Sequence, residues 1–203
     1  MHAASQWGIH GFVDHEALID AWQAGDIQLD YAIVTTPNNH HFAQARTCIE
    51  AGLPVLCEKP MTITVGEAKT LRDLVQKHDV PFVLAHTYTG HPMVMLAREM
   101  IKRGDIGEPR VVVHYGGSVL MHNHVHSIDT VSYLLGDPAI VAVRGELHPR
   151  DMKIEDNHLA EDPRATFHIQ FENGVEAYSV PGGPVETEVI GSENSIRASN
   201  TLN

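Results

Sequence analysis

With 203 residues, 43% of them hydrophobic and no low-complexity tract, the sequence describes a folded chain of one large domain or two small ones. Asp and Glu number 26 against 14 Lys and Arg, and the resulting formal charge of -12 disfavours nucleic acid and anionic membrane surfaces as partners. No apolar run approaches the ~20 residues of a membrane span.

In chain order, "YAIVTT" at 31–36 reads as a buried strand, and Pro37-Asn38 as a turn in which Asn38 caps the next helix. That helix runs through "HHFAQARTCIEA", with Phe42, Ala45 and Ile49 on one face and Gly52 as its terminator. "PVLCE" (54–58) is a second strand. Thr64 and Glu67 then form a capping box, opening a helix with an apolar stripe of Val65, Ala68, Leu71 and Leu74 or Val75 that ends near His78. "PFVLAH" (81–86) is a third strand. Strands alternating with helices of this length predict right-handed crossovers, a parallel sheet, and ligands at the strands' carboxyl ends. Those ends are "TTPNNHH", "CEKP" and "AHTYTGHP".

The second half differs. A helix closed by glycine ("AREMIKRGDIG") precedes strands at 110–115 and 139–147, and a helix is predicted over Val125–Leu135 from the spacing of Ile128, Val131, Leu134 and Leu135. In "ATFHIQFENGVEAYSV", Phe167, Ile169 and Phe171 alternate, and Asn173-Gly174 predicts a two-residue hairpin turn. "VETEVIGSENSIRA" adds a further strand pair. The fold class is therefore α/β: a parallel sheet with helices over 1–104, then an α+β region with a largely antiparallel open sheet over 105–203.

Three positions invite chemistry. Glu58 and Lys59 end a buried strand where a ligand crevice opens, and Pro60 fixes the backbone just after them; a solvated ion pair is the bland alternative. His122, His124 and His126 share a face if they lie on a strand and could then hold zinc. On a helix, only His122 and His126 share one. Further ligands (Asp129, His114, Glu108) follow no known metal spacing, and with 15 histidines in the chain a structural or solvated role fits most of them, so no metal is expected. A single histidine beside a ligand-facing lysine is the sharper reading, since imidazole titrates near neutrality and accepts an alcohol proton. Cys48 and Cys57 sit in apolar segments without metal or disulfide spacing, and the chain opens on no signal-peptide pattern, which predicts a cytoplasmic location.

The segments "TTPNNHH", "AGLPVLCEKPMTITVGEA", "GDIGEPRVV" and "HSIDTVSYLLGDP", in that order, resemble the Gfo/Idh/MocA family of nicotinamide-dependent oxidoreductases over nearly the whole chain. The resemblance implies a partial Rossmann domain and an open-sheet domain that contacts a small-molecule substrate and forms homo-oligomers. It implies NAD or NADP as cofactor, with Thr36, Pro37, Asn38, His41, Glu58 and Lys59 along it. Lys59 and His126 would be catalytic, with Tyr88, His122 and Asp129 near the substrate, a sugar, polyol or related hydroxyl compound. Three departures stand out. The family's G-x-G-x-x-G turn is absent, and "AASQWGIHGFVDHEALID" resembles the family segment that comes after the second strand. His122 stands where relatives often have aspartate, and few residues separate "VVVHY" from "SVLMHNH". Three functions are compatible with this pattern, in this order: a dehydrogenase, a non-catalytic remnant that associates with itself or with a full-length relative, and, third, a metal-dependent hydrolase using the histidine cluster. The absent turn leaves "YAIVTT" as an apolar sheet edge, accounted for by truncation, by a second polypeptide or by self-association.

Overall fold

A computed structural model describes residues 8–155, 158–159 and 161–199. The chain divides into two compact units, the first reaching to Ala85 and the second starting at His86.

In the first unit, α1 (His15–Ala24), β1 (Ala32–Val34), a 3-10 turn (Asn38–His40), α2 (His41–Glu50), β2 (Val55–Cys57), α3 (Val65–His78) and β3 (Phe82–Leu84) follow one another. The strands form a parallel sheet in the order β1-β2-β3, with Val34, Cys57 and Leu84 in register. Pleating sends alternate residues to opposite faces. Val34, Val55 and Cys57 are buried against Ile19 of α1, Ala45, Cys48 and Ile49 of α2 and Leu71 of α3. The neighbouring row, Ile33, Leu56 and Val83, faces the other way, and its outer members are 55% and 57% exposed.

Local signals set the helix ends. Thr64 and Glu67 make the expected capping box of α3, each side chain accepting from the other residue's backbone N–H. Two expectations need correction. Asn38 makes no side-chain cap; it opens the 3-10 turn, where His40 N donates to Pro37 O, so the α-helix starts only at His41. Val65, the first residue of α3, is 72% exposed rather than part of the buried stripe. Helix α1 was not anticipated, although Asp14 caps it by accepting from Ala17 N at 2.8 Å.

The second unit holds α4 (Pro92–Arg103), β4 (Pro109–Tyr115), a widened π turn (Leu120–His124), α5 (Val125–Leu135), β5 (Ile140–His148), β6 (Ile154–Glu155), β7 (His158–Leu159), β8 (Arg164–Phe171), β9 (Glu176–Val180), β10 (Glu186–Gly191) and β11 (Ser195–Ser199). Six of these strands form one sheet in the order β11-β10-β4-β9-β8-β5. Pairing is antiparallel except between β4 and β9. One face is covered by Val94 and Ala97 of α4 and Val131 and Leu134 of α5, which pack with Val112, Phe167, Ile169, Phe171, Ala177 and Val189. Helix α4 thus belongs to the second unit's core, and the division expected after residue 104 falls one helix later than the one between Ala85 and His86.

The β8–β9 hairpin departs from the two-residue turn. Phe171 N donates to Val175 O, leaving Glu172, Asn173 and Gly174 as a three-residue loop. Gly174 takes φ +82, the left-handed position that a type I turn with a bulge requires. Asn173 Oδ1 accepts from Val175 N and braces the turn from within. Among the described residues, no helix is long and apolar enough to cross a membrane.

Candidate functional site

The first group of candidate residues lies at the carboxyl ends of β1 and β2. Beyond Val34 the chain leaves the ladder through Thr36, Pro37 and Asn38, all exposed, with Thr36 Oγ1 donating to Gln44 Oε1 of α2 at 2.7 Å. Glu58 N donates to Val34 O, holding the end of β2 against β1. Glu58, Lys59 and Pro60 are half-buried, and the Lys59–Pro60 peptide is cis. The Glu58 carboxylate turns back to accept from Lys59 N at 3.1 Å. Glu58 is therefore a local anchor for the backbone that presents Lys59. The neighbouring thiol is inert: burial, with the Glu58 charge alongside, pushes Cys57 up to about 11. Cys48 is likewise buried, free and raised by burial.

His41 is 1% exposed, and its ring lies between the two loops. Nδ1 stands 2.8 Å from Pro60 O and Nε2 2.8 Å from Thr36 O.

The second group is built by the segment after β3 and the start of α5. His126 is buried, and Tyr88 stacks on its ring with centroids 4.3 Å apart and planes 15° from parallel. His86 meets the same ring edge-on at 6.1 Å. His86 Nδ1 faces Asp129 Oδ2 at 3.6 Å, and Asp129 lies one helical turn beyond His126, nearly on the same face. Burial raises the Asp129 carboxyl above the ordinary range, against the pull of His86 and a hydrogen bond from Thr89. This arrangement gives an imidazole in a fixed orientation, able to take or return a proton, with a histidine–carboxylate pair beside it.

The three histidines of "HNHVH" part company. His122 is exposed, with its backbone N donating to Asp162 Oδ2 at 2.8 Å. His124 turns into the core, where Nε2 donates to Ala165 O at 2.8 Å. Gly117 makes room for it: a Cβ there would stand 2.9 Å from His124 Cε1. Only His126 joins the Tyr88 group. The π turn breaks the period of two on which a shared strand face depends, and no set of three His, Cys, Asp or Glu is placed to hold a metal ion among the described residues.

The structure thus gathers Tyr88, His126 and Asp129, sets His122 apart on the surface, and places Thr36, Pro37, Asn38, Glu58 and Lys59 around two strand ends. His86 was missed by sequence reasoning. Its one signal was its place in "AHTYTGHP", at the end of the third strand.

Strand-end loops on a parallel sheet, followed by a large mixed sheet, define a chain of the α/β class. Two family models match it: the oxidoreductase family's NAD-binding Rossmann fold over residues 1–86 and its C-terminal alpha/beta domain over residues 110–202. The chain belongs to the Gfo/Idh/MocA oxidoreductase family. It is 26% identical over 196 residues to D-xylose 1-dehydrogenase [NADP(+)] of Haloarcula marismortui, covering 83% of this chain and 53% of that protein. It is 30% identical over 148 residues to inositol 2-dehydrogenase of Leifsonia xyli, covering 67% and 42%. Among solved structures, an oxidoreductase from Pseudomonas syringae superposes with a TM-score of 0.83 at 25% identity, over 97% of this chain and 59% of that one. An inositol dehydrogenase homolog from Azotobacter vinelandii, complexed with NADH and myo-inositol, shares the fold with a TM-score of 0.84 at 24% identity, over 97% and 58%. The chain spans about half the length of the curated relatives it matches.

Proposed function

We propose that this chain acts as a nicotinamide-dependent dehydrogenase on a sugar, polyol or related hydroxyl compound. The observation that carries the reading is half-buried Lys59 at the carboxyl end of the middle strand of a parallel sheet, where such sheets meet their ligands. The donor set there fits one end of the cofactor: Thr36 and Asn38 offer exposed hydroxyl and amide groups, and Lys59 a cation beside a ribose or a reacting oxygen. The pyrophosphate has no such match, because the sequence contains no G-x-G-x-x-G.

A bound nicotinamide would accept a hydride from the substrate carbon, or return one to it. Lys59 would hydrogen-bond the reacting oxygen and favour negative charge on it. His126, kept in orientation by Tyr88, would take the hydroxyl proton as the carbon–hydrogen bond breaks and the carbonyl forms, or give it back in reduction. Tyr88, Asp129 and His122 are the proposed substrate contacts. Homo-oligomerisation and a cytoplasmic location complete the proposal; the inositol and xylose dehydrogenases among the relatives support the substrate class.

The test combines binding and turnover. Titration calorimetry on the 203-residue chain should give millimolar or weaker binding of NADH, about -4 kcal/mol or less favourable. With a glycine-loop segment supplied, polyol oxidation should appear, and Lys59→Ala and His126→Ala should each lower kcat by roughly a hundredfold. Undiminished turnover in both variants would refute the assignment of roles. An inactive chain that still associates with a full-length relative would favour the non-catalytic reading.

A further inference from the structure

We propose that His41 is a positioning residue that fastens the loop after β1 to the loop after β2, and that it sets the backbone carrying Glu58 and Lys59 without itself touching cofactor. The inference builds on the function proposed above. The family resemblance put His41 beside the cofactor, but the geometry leaves its ring nothing to offer a ligand: it is 1% exposed, and both nitrogens are engaged at 2.8 Å.

The two engaged oxygens belong to different loops. Thr36 O closes the segment leaving β1, and Pro60 O lies one residue past Lys59. A backbone carbonyl only accepts, so both bonds stand together when both ring nitrogens carry hydrogen. The two ring nitrogens point in divergent directions across a rigid plane, which lets one side chain reach both carbonyls. Glu58 N reaches Val34 O at the strand end, and Thr36 and Glu58 otherwise bond within their own segments, to Gln44 and to Lys59 N. The His41 ring is a cross-tie beyond the last ladder bond. Its place at the first residue of α2, fixed by packing of Ala45 and Ile49 beneath, gives the tie a rigid base.

The experiment compares the wild-type chain with His41→Gln, whose single amide cannot span both carbonyls, and His41→Phe, which fills the volume without a donor. Amide hydrogen exchange is read at Lys59 and Met61, with Val112 of the second unit as the internal reference. Both variants should speed exchange at Lys59 and Met61 by about tenfold while leaving Val112 unchanged, the scale of losing a buried hydrogen bond. NADH affinity should fall with it. Unchanged exchange in His41→Phe overturns the proposal; if both variants unfold, a wild-type His41 ring N–H that exchanges with solvent as fast as that of an exposed histidine overturns it instead. Absence of polyol oxidation with the glycine-loop segment supplied would count against the dehydrogenase reading and leave the exchange comparison intact.

Discussion

The two sheets treat their uncovered faces differently. In β8 the helix side carries Ala165, Phe167, Ile169 and Phe171, all buried, and the open side carries Thr166, His168 and Gln170. His168 stacks on Tyr178 at 4.5 Å, and Gln170 donates to Glu176, so polar contacts run across that face. In the parallel sheet the open row is Ile33, Leu56 and Val83, without a polar member. Antiparallel sheets commonly leave one face in water, whereas parallel sheets are ordinarily covered on both. In the larger sheet the open face of β8 is polar, and exposed apolar side chains gather instead on the edge strand β5, at Ile140, Val141, Val143 and Leu147. The smaller one presents an apolar row suited to burial.

Core truncation should separate the units most strongly. Ile49 and Ile169 are each almost fully buried, in different cores. Ile49→Ala and Ile169→Ala should each cost about 2–5 kcal/mol, each in its own urea transition. One merged transition shifted equally by both variants would break the comparison.

The next effect belongs to the second unit alone. Burial, with His124 nearby, lowers the His114 imidazole to about 4, while its Nδ1 bonds Thr187 Oγ1 at 2.9 Å. Unfolded, the same ring titrates near ~6.5, so the unfolded chain takes up the proton first as pH falls. The stability linked to this ring is fully present above ~6.5 and is lost on the way down to about 4, amounting to roughly 3 kcal/mol. The second unit's urea midpoint, followed from pH 7.5 to ~4.5 beside a His114→Gln control that lacks the titration, checks the sign.

The smallest effect concerns the apolar row. Ile33→Thr with Val83→Thr should change stability by no more than about 0.5 kcal/mol, since both side chains are more than half exposed, yet it should reduce light scattering of concentrated protein. Unaltered scattering would show that this face takes no part in association.

Elements written in short-range patterns were legible. The Thr64–Glu67 box, the Phe167-Ile169-Phe171 alternation and the Val131-Leu134 stripe each depend on residues a few positions apart, and each stands as expected. The family and the strand-end placement of Glu58-Lys59 were legible for the same reason. The expectations that failed depended on contacts remote in sequence or on a single backbone deviation. The π turn at Leu120–His124 broke the His-x-His-x-His pattern, and no local signal marks it. His86 could not be told from the other histidines until Asp129 and His126 were brought to it. Helix α1 is different: Asp14 before Leu18, Ile19 and Trp22 was a readable start that was passed over.

Strand β4 has a consequence for synthesis. It is central in its sheet, yet Val112 pairs with Ala177 and Val189, both near the far end of the chain. As the polypeptide leaves the ribosome, the first unit has all its described strands before β4 is made. Val111, Val112 and Val113 must then wait for β9 and β10 to emerge, roughly 4–15 s at ~5–20 residues per second. For that interval a valine-rich strand with both edges open is available to any binder of extended apolar segments, so a nascent-chain chaperone would meet this protein at β4.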